Sequence, residues 1–113
     1  MRTLKHVSRF QVEPQEPVKG VKRWVLAYGD RVMLVYFEID EGARFPTHSH
    51  VHEQAGYIIK GRMVFKTPDK EITVSEGESY VFESNEPHEV YNPGPGKTII
   101  IEVFSPPRED FLK

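Results

Sequence analysis

The sequence predicts an all-β fold on three observations. Apolar and β-branched residues fall in short blocks, Gly, Pro, Asp and Asn separate those blocks, and no i, i+3, i+4, i+7 stripe is sustained over a dozen positions. Strands are expected near 23–28 and 31–39, on either side of the hairpin signal Gly29-Asp30, the second holding the longest apolar run, Val32 to Phe37. A short strand is expected at 47–50. The blocks 54–60 and 62–67 flank Gly61, and Pro68-Asp69 separates the latter from 71–74. Strand 79–83 follows Gly77, and strand 88–91 follows the turn Ser84-Asn85-Glu86-Pro87. The most apolar block, 97–104, comes after Pro93-Gly94-Pro95-Gly96. So many short, evenly spaced strands suggest a sandwich or a closed barrel, either of which protects sheet edges. Residues up to Gly20 are weakly patterned, and 106–113 reads as a charged tail.

At 113 residues the chain has room for one domain, 1–113, and its 38% hydrophobic content supports a core without staples. Fifteen Lys and Arg against 17 Asp and Glu give a net charge of −2, so no electrostatic footprint for nucleic acid or anionic lipid exists. With no Cys, disulfides, thiolate zinc sites and cysteine nucleophiles are excluded, and any metal must use His, carboxylate or amide ligands. Arg2, Lys5 and Arg9 precede no apolar stretch of signal-peptide length, and a cytoplasmic location is expected. No G-x-S-x-G elbow and no phosphate-cradling Gly motif is present.

Three of the five His, namely His48, His50 and His52, fall within five positions just before Gln54. In a strand, His48 and His50 point the same way about 6.5–7 Å apart, near enough for both imidazoles to reach one ion through bonds of ~2.1 Å. A further ligand must come from elsewhere, and His88, opening a later strand, is the obvious donor.

These residues resemble the cupin superfamily. Its pattern G-x5-H-x-H-x3,4-E-x6-G is met by Gly42, His48, His50 and Gly61, with Gln54 in place of the usual Glu, over 42–61. Its second pattern, G-x5-P-x-G-x2-H-x3-N, is met by Gly77, His88 and Asn92 over 77–92, with Glu83 and Asn85 in place of Pro and Gly. The resemblance implies a small single-domain, metal-binding cupin: a double-stranded β-helix, or jelly-roll barrel, whose mouth holds one divalent transition metal on His48, His50, Gln54 and His88. Manganese or iron is favoured, and zinc, nickel or cobalt also suits imidazole and oxygen donors. Gln54 is a neutral donor, so the site keeps a charge near +2 and attracts a small anionic substrate or ligand. Two open positions on a six-coordinate ion suit oxalate, a 2-oxo acid or a vicinal diol.

The same resemblance makes an oxalate-decarboxylase-like or dioxygenase-type enzyme the concrete expectation, the alternative being a non-enzymatic module that binds a sugar or a carboxylate. His52, Tyr57 and Phe45 are expected to contact substrate or to support the ligands. Proton-transfer candidates by closeness in sequence are Glu53, Tyr57, Tyr80, Glu89 and Tyr91, although strand alternation turns Glu53 and Glu89 away from the ligands. A homodimer is expected from a terminal segment with modest strand character, which has little to do in a minimal barrel.

Overall fold

The computed structural model describes residues 3–113, so Arg2 of the basic N-terminus lies outside it. Two antiparallel sheets face each other in the expected jelly-roll arrangement. The larger has the order β1-β2-β3-β10-β5-β8 and comprises Gln15–Val18, Val21–Tyr28, Met33–Ile39, Thr98–Ser105, Glu53–Lys60 and Ser79–Phe82 respectively. The smaller has the order β4-β9-β6-β7, with Arg44–His48, His88–Tyr91, Arg62–Lys66 and Glu71–Ser75. Among the described residues no helix is long and apolar enough to cross a membrane.

Alternation in the larger sheet builds the core. Met33, Val35, Phe37 and Ile39 of β3, Ile100 and Phe104 of β10 and Ile58 of β5 turn inward. They meet Met63, Phe65, Val74 and Val90 of the smaller sheet. Burying such side chains contributes roughly 1.5–3 kcal/mol each. Gly61 makes the β5–β6 turn at φ +83°, and a Cβ there would run into the Thr98 hydroxyl, which donates to the Arg62 carbonyl. Asn92, fully buried at the end of β9, donates to the Ile39 and Gly96 carbonyls and accepts from the Gly94 amide. It ties the strand that carries His88 to the larger sheet.

The structure departs from the expected elements in three places. The strand expected at 47–50 is instead Arg44–His48, with Pro46 inside it, and His50 lies beyond its end. Proline is tolerated there because β4 is an edge strand, where a missing N–H leaves no ladder bond unmade. The weakly patterned N-terminus supplies β1, another edge strand containing a proline, Pro17. The charged tail folds back as the 3-10 turn Glu109–Leu112, whose Phe111 is buried edge-on against Phe104.

Candidate metal centre

His48 ends β4 and faces His88, which opens β9, in the β4–β9 pairing. His50 reaches the same point from the loop after β4. That loop is anchored by the Asn85 amide, which donates to the His50 carbonyl at 2.7 Å. Asn85 has φ 63°, a left-handed conformation that Asn adopts more readily than most residues. This is why Asn can stand where the motif has Gly. The loops carrying His50 and His88 are thus joined by main-chain bonding before any ion is considered.

The ring-centroid distances are 4.4 Å for His48–His88, 5.5 Å for His48–His50 and 5.3 Å for His50–His88. One nitrogen of each ring lies within 4.8 Å of the others. The Nδ1 atoms bond to main-chain carbonyls, His48 to Pro46, His50 to His52 and His88 to Glu86, at 2.9, 2.9 and 2.8 Å. A carbonyl only accepts, so each Nδ1 carries the proton and each Nε2 presents a lone pair. His50 Nε2 is buried without a hydrogen-bond partner among the described residues. An orphaned acceptor inside a three-imidazole cluster is the arrangement a divalent cation completes. The cluster fits a single divalent metal site.

Burial lowers the pKa of His50 to about 4, helped by the Arg108 charge and by the neighbouring His88 and His48. Burial likewise lowers that of His88. Both rings are therefore neutral, the form that binds metal, at physiological pH. A base with a depressed folded pKa stabilises the fold above its unfolded pKa of 6.5 and ceases to as pH falls through about 4. The metal-free protein is expected to lose melting temperature steadily between those two values, as followed by thermal unfolding in chelator. A flat profile across that window would contradict the neutral cluster.

Gln54 and Glu102 occupy inward positions of the adjacent strands β5 and β10 and are 7% exposed each. Gln54 Nε2 donates to Glu102 Oε2 at 2.9 Å, and the Tyr80 hydroxyl donates to the same oxygen. With its nitrogen so engaged, Gln54 has its amide oxygen left for a cation. Burial raises the pKa of Glu102 against the lowering effect of both hydrogen bonds, and burial raises that of Tyr80 well above the ordinary phenol value. Since Oε2 already accepts twice, a proton on Glu102 sits on Oε1. Tyr80 lies across Gly56, its pairing partner on β5, where a Cβ would overlap the phenol ring. A Gly56→Ala substitution is expected to displace Tyr80 and to cost about 1–3 kcal/mol, read by denaturant unfolding. A loss below a few tenths would mean the ring moves freely.

These groups line one cavity of ≈ 260 Å³. His48, His88, Gln54, Glu102 and Tyr80 share it with apolar walls that include Phe37, Phe45, Phe65 and Phe104. The folded-back tail contributes Arg108, Asp110 and Phe111. Arg108 forks onto Asp110 at 3.1 and 3.0 Å, and its guanidinium lies 4.3 Å from the Phe111 ring centroid. Arg23 stacks 3.6 Å from that centroid and donates to Gln15 Oε1. Burial and the Arg108 charge lower its pKa to about 10, which leaves it cationic at neutral pH. Two guanidiniums and one carboxylate make this part of the wall net positive.

The other residues singled out in the sequence are dispersed. Phe45 is in the cavity wall, edge-on to Phe37. His52 lines a separate hollow with Tyr28, Val51 and Pro106, and supports His50 through its carbonyl. Tyr57 is 47% exposed, alternating outward next to inward-facing Gly56 and Ile58. Glu53 is exposed, and Glu89 pairs with Arg44 at 3.5 Å. Tyr91 lies under the Arg44 and Lys66 cations. Of the proton-transfer candidates, Tyr80 alone lines the cavity. Sequence reasoning passed over Glu102, Arg108 and Arg23. Glu102 had a signal, as the one charged residue at the inward parity of an otherwise apolar strand.

The family model described as cupin domain matches residues 35–104. The pectin degradation protein KdgF of Dickeya dadantii (strain 3937) is 31% identical over 111 residues, covering 94% of this chain and all of that one. The structure of KdgF from a Halomonas species superposes with a TM-score of 0.87 at 25% identity, covering 96% of this chain and 99% of that one. A predicted oxalate decarboxylase from Thermotoga maritima, at 18% identity, covers 89% of this chain and 98% of its own with a TM-score of 0.76, a likeness of fold alone.

Proposed function

Because the chain belongs to the cupin family, we propose that it is a metal-dependent enzyme acting on a small uronic acid of the kind pectin breakdown releases. One divalent cation would sit on His48, His50, Gln54 and His88. The observation that carries this reading is the two-sided cavity, with a neutral imidazole cluster and a net positive patch of Arg23 and Arg108. Such a cavity suits a sugar acid, which has vicinal oxygens for a cation and a carboxylate for a guanidinium. The whole-length similarity to a pectin degradation protein points to the same substrate class. Oxalate, the smallest dicarboxylate, would leave much of the ≈ 260 Å³ empty.

A bound divalent cation supplies Lewis-acid polarisation of coordinated oxygens, which acidifies the neighbouring C–H and O–H bonds. The protein's own residues supply the rest. Glu102, whose burial raises its pKa, serves as the group that takes up and releases the proton, at Oε1. Tyr80 and Gln54 fix that carboxyl by bonding its other oxygen. Arg108 orients the substrate carboxylate, and the phenylalanine walls exclude water. The reaction class these parts serve is proton transfer beside a carbonyl, which isomerises the sugar acid without changing its formula. Decarboxylation or dioxygen chemistry would instead change the carbon or oxygen count.

The test is to load the protein with manganese, then iron and zinc, and offer monomeric uronates from exhaustively digested pectin in D₂O. Proton NMR is expected to show a new isomer carrying one deuteron on carbon, with no carbon dioxide released. Saturable binding without conversion would favour the non-enzymatic module. Failure to bind any uronate would overturn the substrate class.

A further inference from the structure

Arg108 already carries a carboxylate of the protein's own. Its guanidinium lies against the rings of Phe111 and Phe104, at 4.3 and 5.2 Å from their centroids, and its edges are left for polar partners. Nε and one Nη donate to the two oxygens of Asp110 at 3.1 and 3.0 Å. This two-pronged fork is the geometry in which a guanidinium receives a substrate carboxylate. Burial works to raise the pKa of Asp110, but the hydrogen bonds and charge of Arg108 outweigh it and lower it, so the pair is ionic at neutral pH. The Arg108 side chain is 14% exposed and that of Asp110 57%. Asp110 lines both the main cavity and the neighbouring hollow that holds His52. The backbone beneath it is fixed, because Phe111 is buried, its carbonyl accepts from Gln15 Nε2 at 2.7 Å, and Arg23 stacks on its ring. The Asp110 carboxylate can therefore leave Arg108 by side-chain rotation alone, with the tail in place.

Resting on the uronate reading of this cavity, we propose that Asp110 is a built-in competitor for the substrate carboxylate, displaced from Arg108 by a uronate, and that it determines which acids the cavity accepts. A second carboxylate at the other edge of the guanidinium would share one Nη with Asp110 and meet a like charge at close range, where apolar walls screen little. Asp110 is the one that yields, since water reaches its oxygens as it turns away. One residue separates it from Arg108, so it competes at an effective concentration of about millimolar or more. A simple monocarboxylate, gripped by Arg108 alone, loses to Asp110 below that concentration. A uronate also sets its ring against the phenylalanine walls and its vicinal oxygens toward the three-histidine cluster, and these contacts tip the exchange. Asp110 thus acts on specificity and takes no part in the proton transfer.

The test compares zinc-loaded wild type with Asp110→Asn, titrating each with the monomeric uronates in a calorimeter. The variant is expected to bind them about 3–10-fold more tightly, the worth of a partly exposed ion pair. Acetate, read by its protection of Arg108 from phenylglyoxal, is expected to gain by a similar factor. Asp110→Ser serves where the amide disturbs the turn. Glu109→Gln removes the neighbouring exposed charge and is expected to leave both affinities within about twofold of wild type. Uronate binding that is unchanged or weaker in the Asp110 variants would overturn the proposal and make Asp110 a positioning group for Arg108. Should no uronate bind either protein, the acetate arm decides. Stronger protection in the variant then supports the internal competitor while the uronate reading falls, and equal protection sinks both.

Discussion

A His50→Leu variant is expected to lose metal-dependent stabilisation while its metal-free form melts close to the wild type. Ordinarily, replacing a buried polar side chain strands its partners. Here His50 Nε2 has no hydrogen-bond partner among the described residues, so its removal relieves an acceptor whose burial costs about 1–3 kcal/mol. Against that stands the lost Nδ1 bond to the His52 carbonyl, of about 1 kcal/mol. The net change in the metal-free state is therefore small. With metal, the wild type gains about 2.7 kcal/mol at a hundredfold excess of ion over Kd, or roughly 10 °C in Tm. The variant should gain almost nothing. Thermal scans with and without chelator, beside elemental analysis of the purified proteins, read both halves of this expectation. A variant that binds one equivalent of metal as tightly as wild type would remove His50 from the ligand set.

A Glu102→Gln variant is expected to keep its metal and its fold and to lose about 10²–10⁴ in turnover of the uronate. The amide oxygen can still accept from Tyr80 and Gln54, which preserves the bonds that orient the Gln54 amide. What disappears is the capacity to hold and release a proton. Turnover within threefold of wild type would reduce Glu102 to a positioning group. Loss of metal together with turnover would mean that the Gln54 amide had flipped instead.

The three-histidine cluster could be read from the sequence because His48, His50 and His88 stand at fixed distances from Gly42, Gly61, Gly77 and Asn92. Glycine and Asn92 set the turns, and the turns set where the strands begin. The extended run expected to reach His50 ends at His48, where the chain leaves the sheet and strand alternation no longer holds. His50 is brought back by the Asn85 amide, a bond between loops 35 residues apart that spacing alone does not reveal. The tail reads as a charged one because Arg108, Glu109, Asp110 and Lys113 outnumber the apolar residues around them. Yet Phe111 is 6% exposed, which places Arg108 in the cavity. Glu102 illustrates a different limit. Its parity pointed inward, but only the cross-strand meeting with Gln54 and Tyr80 shows how a carboxyl can be buried there.

All three histidines are held by main-chain carbonyls, those of Pro46, His52 and Glu86, and none by a carboxylate. Every residue has a carbonyl, so the identity of the side chains at these three positions is largely free to drift while ligand orientation persists. The cost falls on basicity, since a carbonyl makes its imidazole a weaker electron donor than an aspartate would. A centre built this way is expected to tolerate sequence divergence well and to release its ion readily, so that occupancy follows the metals its surroundings supply.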